Sequence, residues 1–137
     1  MRAYVDTSVV LRHLLDQPNR LEWSAWDSAY SSEMLGVEAR RVIDRFRLDC
    51  ALDDGGVAQA IESLIQMERC IGCIRLTRIV LGRASLPMPT VVGTLDAIHL
   101  ASALLLREHR GGDLVFATHD MQQATGARAL GFVVAGV

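Results

Sequence analysis

Four acidic residues stand where a carboxylate is hard to explain as solvated surface. Asp6 follows the apolar run RAYV and opens DTSVV, an acid and two hydroxyls between two segments of buried type. Asp120 repeats the arrangement after LVFATH, with Thr118 two positions before it. Asp96 lies in TLDAIHLASALLL. From Leu95 to Leu106 nine of twelve residues are apolar, so a helix here is buried on most faces and leaves its acid few directions toward water. Glu38 lies in SSEMLGVEARRVIDRF, beside Leu35 and Val42 at the border of the apolar face formed by Leu35, Ala39, Val42, Ile43 and Phe46. Carboxylates about 4 Å apart repel by roughly 1 kcal/mol in water and about 4 kcal/mol at an effective dielectric near 20. Several of them ionised together need a compensating cation. Oxygen-only donors suit Mg²⁺ or Mn²⁺ rather than zinc.

Each acid also has an ordinary reading. An Asp after a strand is commonly a turn residue or helix cap, and Asp96 can cap its own helix with help from the dipole. Asp96, His99 and Ser102 make a narrow polar edge on an apolar cylinder, on which His99 reads most simply as a satisfied core histidine. Arg41 and Arg45, at i+3 and i+7 from Glu38, share its side of the helix. They form either a surface Glu–Arg pair worth a few tenths of a kcal/mol or a cation pair placed to meet phosphates beside an acidic cleft. With Arg40 and Arg47 they concentrate positive charge on one helix, which most often means a solvated face.

The elements that must position these residues alternate short apolar runs with helical patterns, as a parallel sheet covered by helices requires. Strands are expected at 2–5, 29–31, 73–76, 114–118 and 132–135. Helices are expected at VVLRHLL (capped by Thr7 or Ser8 and stopping before Pro18), 33–48, 55–69, 77–84, 94–109 and 121–130. LEWSAWDS reads as a short helix or loop and LPMPTVVG as a loop. In such a sheet ligands bind in the crevice at the carboxyl ends of the strands, and Asp6 and Asp120 both leave their strands there.

The remaining composition excludes more than it assigns. The 137 residues, half of them apolar, suit one domain with a full core. No apolar stretch approaches the roughly 18 residues that span a bilayer and no signal-type N-terminus is present, so a cytoplasmic protein is expected. The formal charge of −2 announces no partner. All 14 basic residues are arginine. Without lysine the chain cannot be a phosphorelay receiver, a haloacid-dehalogenase phosphatase (which also needs an Asp where Ser8 stands) or a P-loop nucleotide site. Cys50, Cys70 and Cys73 read as reduced, partly buried thiols, CIGC lacking the second pair a structural zinc site needs.

VDTSVV, SSEMLGVEAR, TLDAIHLASAL and ATHD with the later LGF, in this order and at these separations, resemble the PIN-domain ribonucleases, above all toxins of VapC type. The resemblance runs the length of the chain, residues 49–93 matching only in general pattern. It implies a three-layer α/β/α fold with a central five-stranded parallel sheet and an acidic pocket at the strand ends. Position by position, Asp6, Glu38 and Asp96 match the family's core metal-binding acids and Asp120 its fourth acid. Thr7 and Thr118 match hydroxyls that orient waters or carboxylates. On this reading Asp6 and Asp96 ligate Mg²⁺ or Mn²⁺ directly, Glu38 is a ligand or water-orienting base, and Asp120 serves a second ion or acts through water. Arg41 and Arg45 are the residues expected to meet substrate phosphates. The reaction implied is in-line hydrolysis of RNA with a metal-activated water, leaving 5′-phosphate and 3′-hydroxyl ends. The alternative is a PIN-like module that binds RNA or protein without cutting it. A toxin further implies a VapB-type antitoxin covering the pocket, with Leu14, Trp23, Trp26 and Leu35 as groove candidates if they are not core, and a homodimer.

Overall fold

Alternation along one central strand organises the molecule. The computed structural model describes residues 1–137. Residues Arg2–Val5 form β1, followed by α1 (Thr7–Leu14), a 3₁₀ turn (Trp23–Ala25), β2 (Ser28–Ser32), α2 (Leu35–Leu48) and α3 (Asp54–Cys70). Then come β3 (Gly72–Ile74), α4 (Arg78–Ala84), α5 (Thr94–Arg110), β4 (Leu114–Ala117), α6 (Met121–Ala129) and β5 (Val133–Ala135). All five strands are parallel, in the order β3-β2-β1-β4-β5. Successive side chains of β1 point to opposite faces. Ala3 and Val5 join Val9, Val10, Leu35, Ala39, Ile43 and Leu64 in a core beneath α1, α2 and α3. Tyr4 joins Leu100, Leu104, Phe116 and Ala127 beneath α5 and α6. Helices thus cover both faces, giving the α/β/α layering expected of a wholly parallel sheet. No helix is long and apolar enough to cross a membrane.

The strand order reverses direction at β1, which lies between β2 and β4. That switch point opens a crevice at the carboxyl ends of β1 and β4. Pairing of Val5 with Ala117, continued by the Asp6 amide donating to the Ala117 carbonyl at 2.9 Å, sets Asp6 beside Thr118. Gly136 closes the neighbouring edge at φ +108°, where a Cβ would lie 2.3 Å from the Thr118 carbonyl oxygen. A side chain there would displace the end of β4.

The local structure differs from the sequence expectation in a few places. The cap of α1 is Asp6, whose carboxylate accepts from the Ser8 amide, not Thr7 or Ser8, which lie inside the helix. LEWSAWDS resolves into the 3₁₀ turn and the first residue of β2, and α2 starts at Leu35 rather than Glu33. Leu35 is core at 4% exposure, touching the surface only at the floor of a depression beside Glu33, Gly36 and Glu68. Leu14, Trp23 and Trp26 are half-buried against the same core, with the two indoles packed edge to face. All three cysteines are free, and exposed rather than partly buried, since they lie just past the end of α2, at the end of α3 and on the edge strand β3.

Candidate functional site

Asp6 is fixed by its own loop. At 6% exposure its Oδ2 accepts from the Ser8 hydroxyl at 2.6 Å, the Ser8 amide at 3.2 Å and the Thr118 hydroxyl at 3.1 Å. Oδ1 faces the other way, 3.6 Å from His99 Nε2. The DTS sequence therefore does two jobs at once: the acid caps α1, and the hydroxyl two residues on holds the acid. Asp120 likewise caps α6, its Oδ1 accepting from the Gln123 amide at 2.9 Å, while its own amide donates to Thr118 Oγ1 at 3.0 Å. Thr118, fully buried, is the shared link between the two strand-end acids.

Glu38 reaches the same place from α2. Thr7 Oγ1 donates to Glu38 Oε1 at 3.0 Å, and His99 Nε2 lies 2.6 Å from that oxygen. The ordinary reading of Glu38 as half of a surface Glu–Arg pair does not hold. Arg41 approaches Asp44 at 3.9 Å instead, and Arg40 pairs with Glu68 at 2.8 Å. Arg41 and Arg45 line a shallow depression with Val42, Asp44 and Leu48. Val42 also lines a cleft of about 300 Å³ that holds Ser8, Arg12, Gln17, His119 and Asp120. The two arginines are therefore neighbours of the acidic site rather than members of it.

Asp96 contradicts the capping alternative. The cap of α5 is Gly93, with no side-chain hydrogen bond, and the half-buried Asp96 carboxylate takes none from the protein. Burial raises its pKa above the ordinary value, and the charges of Asp120, Asp6 and Glu38 raise it further, against a smaller opposing effect of His99. The acids that follow β1 and β4 and the acid of α2 therefore all act electrostatically on Asp96 of α5.

His99, one turn on from Asp96, is fully buried and was readable from sequence only as core. Its Nδ1 lies 2.7 Å from the Tyr4 hydroxyl, and its Nε2 faces Glu38, Asp6 and, at 3.4 Å, Thr7 Oγ1. Burial pulls its pKa down, but the hydrogen bond to Glu38 and the charges of Asp6, Glu38 and Asp96 outweigh that and hold it above the ordinary value. Nε2 faces carboxylate oxygens, which can only accept, so it carries a proton directed to Glu38, and the raised pKa widens the pH range over which the ring is an imidazolium. Ser8 and Gln123 are the other site-forming residues that sequence reasoning passed over. For Gln123 the available signal was a polar residue three positions after Asp120, on the face by which α6 packs.

The donor set fits a hard divalent cation: carboxylate oxygens in mutual repulsion, one of them without a partner, lie beside hydroxyls that orient two of the others. As the side chains are placed, no three of the acids, histidines and cysteines are gathered closely enough to hold a metal ion by themselves.

No protein-family model matches the chain. It is 30% identical, over 96% of its length and 94% of the relative's, to the protein named ribonuclease VapC47 from Mycobacterium tuberculosis. Among solved structures it superposes on a chain of VapBC2 from Rickettsia felis, crystallised with a DNA fragment from its promoter. The TM-score there is 0.65 at 12% identity, covering 98% of this chain and 97% of that one. It also superposes on a chain of FitAcB from Neisseria gonorrhoeae with a TM-score of 0.63 at 18% identity, covering 96% and 95%. At these identities the solved structures speak to the fold, which they share with this chain.

Proposed function

The chain belongs to the VapC ribonucleases, and from that premise we propose that residues 1–137 act as one PIN domain, a metal-dependent endoribonuclease that is the toxin of a toxin–antitoxin pair. The observation that carries the proposal is the convergence of Asp6, Glu38, Asp96 and Asp120 from four elements on the carboxyl edge of the sheet. Asp96 stands there unpartnered and is pushed toward protonation by burial and by the charges of the other three. Asp6 and Asp96 would hold Mg²⁺ or Mn²⁺, with Glu38 and Asp120 completing the set directly or through water. When bound, the ion supplies charge neutralisation for the phosphodiester and lowers the pKa of a water. The chain's own part is positional. Ser8 and Thr118 aim Asp6, Thr7 aims Glu38, and His99 holds the Glu38 carboxylate from inside the core. Glu38, the acid that binds both a hydroxyl and an imidazole, is the one placed to take a proton from an attacking water.

The direct test is cleavage of a labelled RNA pool by the purified protein with Mg²⁺ or Mn²⁺, beside an EDTA control. Discrete products that need the ion are expected. Asp6→Asn should weaken Mn²⁺ binding at least tenfold in calorimetry. RNA bound but uncut with every ion would leave the non-catalytic binding module as the reading.

Arg41 and Arg45 enter as phosphate contacts, supported by their depression adjoining the cleft of Ser8, Arg12 and Asp120. Reversing both charges is expected to weaken RNA binding and to lower the slope of log affinity against log salt by about two. An unchanged slope would return them to the solvated surface. The partner is a VapB-type antitoxin. The half-buried Leu14, Trp23 and Trp26 remain its candidate contacts, and titrating in such a protein should suppress cleavage at equimolar ratio. The chain itself acts as a homodimer, which a strictly monomeric mass in light scattering at tens of micromolar would overturn.

A further inference from the structure

Helix α6 buries one polar side chain, Gln123, at 0% exposure, and an amide needs partners there. The facing carboxylate fixes its orientation. The Thr118 hydroxyl has one hydrogen and three groups in reach of it, Asp6 Oδ2 at 3.1 Å, Gln123 at 3.0 Å and Ser8 Oγ at 3.3 Å, and its oxygen accepts from the Asp120 amide. The charged Asp6 oxygen is the strongest of these acceptors, which leaves the Gln123 contact to be donated by Gln123. With Nε2 turned inward, the amide donates to Thr118 Oγ1 at 3.0 Å and to the Asp6 carboxylate at 3.0 Å (Oδ2) and 3.2 Å (Oδ1). Turned the other way, its carbonyl oxygen would face two carboxylate oxygens, a contact without a proton.

We infer that Gln123 is a positioning residue for Asp6: its two amide protons hold the carboxylate and Thr118 so that Oδ2 carries most of the donors and Oδ1 is turned to the site. The assignment deepens the nuclease reading and rests on it for its consequence, though not for its geometry. Oδ2 then has four donors around it, from the Ser8 hydroxyl and amide, Thr118 and Gln123, whereas Oδ1 has the longer Gln123 contact at 3.2 Å and His99 Nε2 at 3.6 Å. That imbalance makes Oδ1 the more available oxygen for an ion or substrate. Outer groups that orient a ligating carboxylate typically matter tenfold or more for metal affinity or activity.

The test starts with the metal-free full chain labelled with nitrogen-15. The two Gln123 side-chain amide protons are expected as a well-separated pair, slow to exchange with water, that moves when Asp6→Asn changes the acceptor. A pair at the position of a solvated glutamine, indifferent to Asp6→Asn, overturns the inference whatever the protein does to RNA. Gln123→Met keeps length and apolar volume and removes both donors. It should raise the Mn²⁺ dissociation constant about tenfold and lower kcat while leaving KM for RNA within twofold. A folded Gln123→Met protein with unchanged Mn²⁺ affinity and kcat also overturns it, and if that variant does not fold the amide signals decide. A chain that cuts no RNA yet shows the shifted amide pair and the weakened Mn²⁺ binding would refute the nuclease and keep Gln123 in its role.

Discussion

Asp96→Asn is expected to abolish RNA cleavage and, in the same protein, to raise the melting temperature measured without metal. Both effects follow from one carboxylate. Asp96 has no hydrogen bond to lose, so asparagine removes only its charge. Burial and then Asp120, Asp6 and Glu38 raise its pKa, so the ionised form is a liability of the folded state. That liability is complete above the folded-state pKa and disappears as pH falls through it. Neutralising the residue at pH 7 therefore stabilises the apo fold, by about 2 to 5 °C in melting temperature for a chain of this size. Metal reverses the sign. Wild-type protein should gain stability from millimolar Mg²⁺ or Mn²⁺ by mass action, and the asparagine variant should not. Loss of several kcal/mol of transition-state stabilisation corresponds to a drop in cleavage of about a thousandfold or more. An asparagine variant that melts below the wild type in EDTA, or that keeps the metal-induced shift, would show that Asp96 is a structural acid and not the open position of a metal site.

Much of this architecture was legible because periodicity carries it. Strand runs of three to five mostly apolar residues, and helices with a border acid, give the element order and put Asp6, Asp120 and Glu38 where the structure has them. Nothing in one sequence states the strand order, yet that order brings β4 beside β1 and sets Thr118 next to Asp6. The cap of α1 was placed one or two residues late because DTS offers three capping side chains in a row, and only the β1–β4 register decides which of them turns inward. His99 shows a different limit. A helical wheel tells which side of α5 it occupies but not what lies opposite. Tyr4 and Glu38 are 95 and 61 residues away in the chain, and the pattern that reads as a core histidine is equally the pattern of a buried cation among acids. Leu35 is the opposite case, an apolar residue on the border of a helix face that the packing of α2 took into the core.

His99→Gln should flatten the pH dependence of stability in the metal-free protein. The folded-state pKa of His99 lies above its ordinary value of about 6.5, so between the unfolded and folded values the native state binds more protons than the unfolded chain. The stability this contributes is fully present below about pH 6.5 and is lost as pH rises through the folded-state value. The wild type should therefore lose stability as pH rises from about 6 through the folded-state value, with thermal or urea unfolding as the measurement. Tyr4 stays protonated throughout, since burial and the Asp6 charge raise it well above its ordinary range, and the Asp96 and His119 shifts act toward the acid side of that window. Glutamine can still donate to Glu38 but cannot carry charge, so the slope through the window should fall to whatever the other groups leave. Divalent metal provides the decisive comparison. If the imidazolium balances the acids only while no ion is bound, saturating Mg²⁺ should remove the alkaline loss in the wild type and pull the His99 ring titration, followed by NMR, to lower pH. A ring titration indifferent to Mg²⁺ would mean that the histidine and the ion do not share the same carboxylates. The Glu38–His99 pair would then be a structural element of the core, standing apart from the chemistry at Asp6 and Asp96.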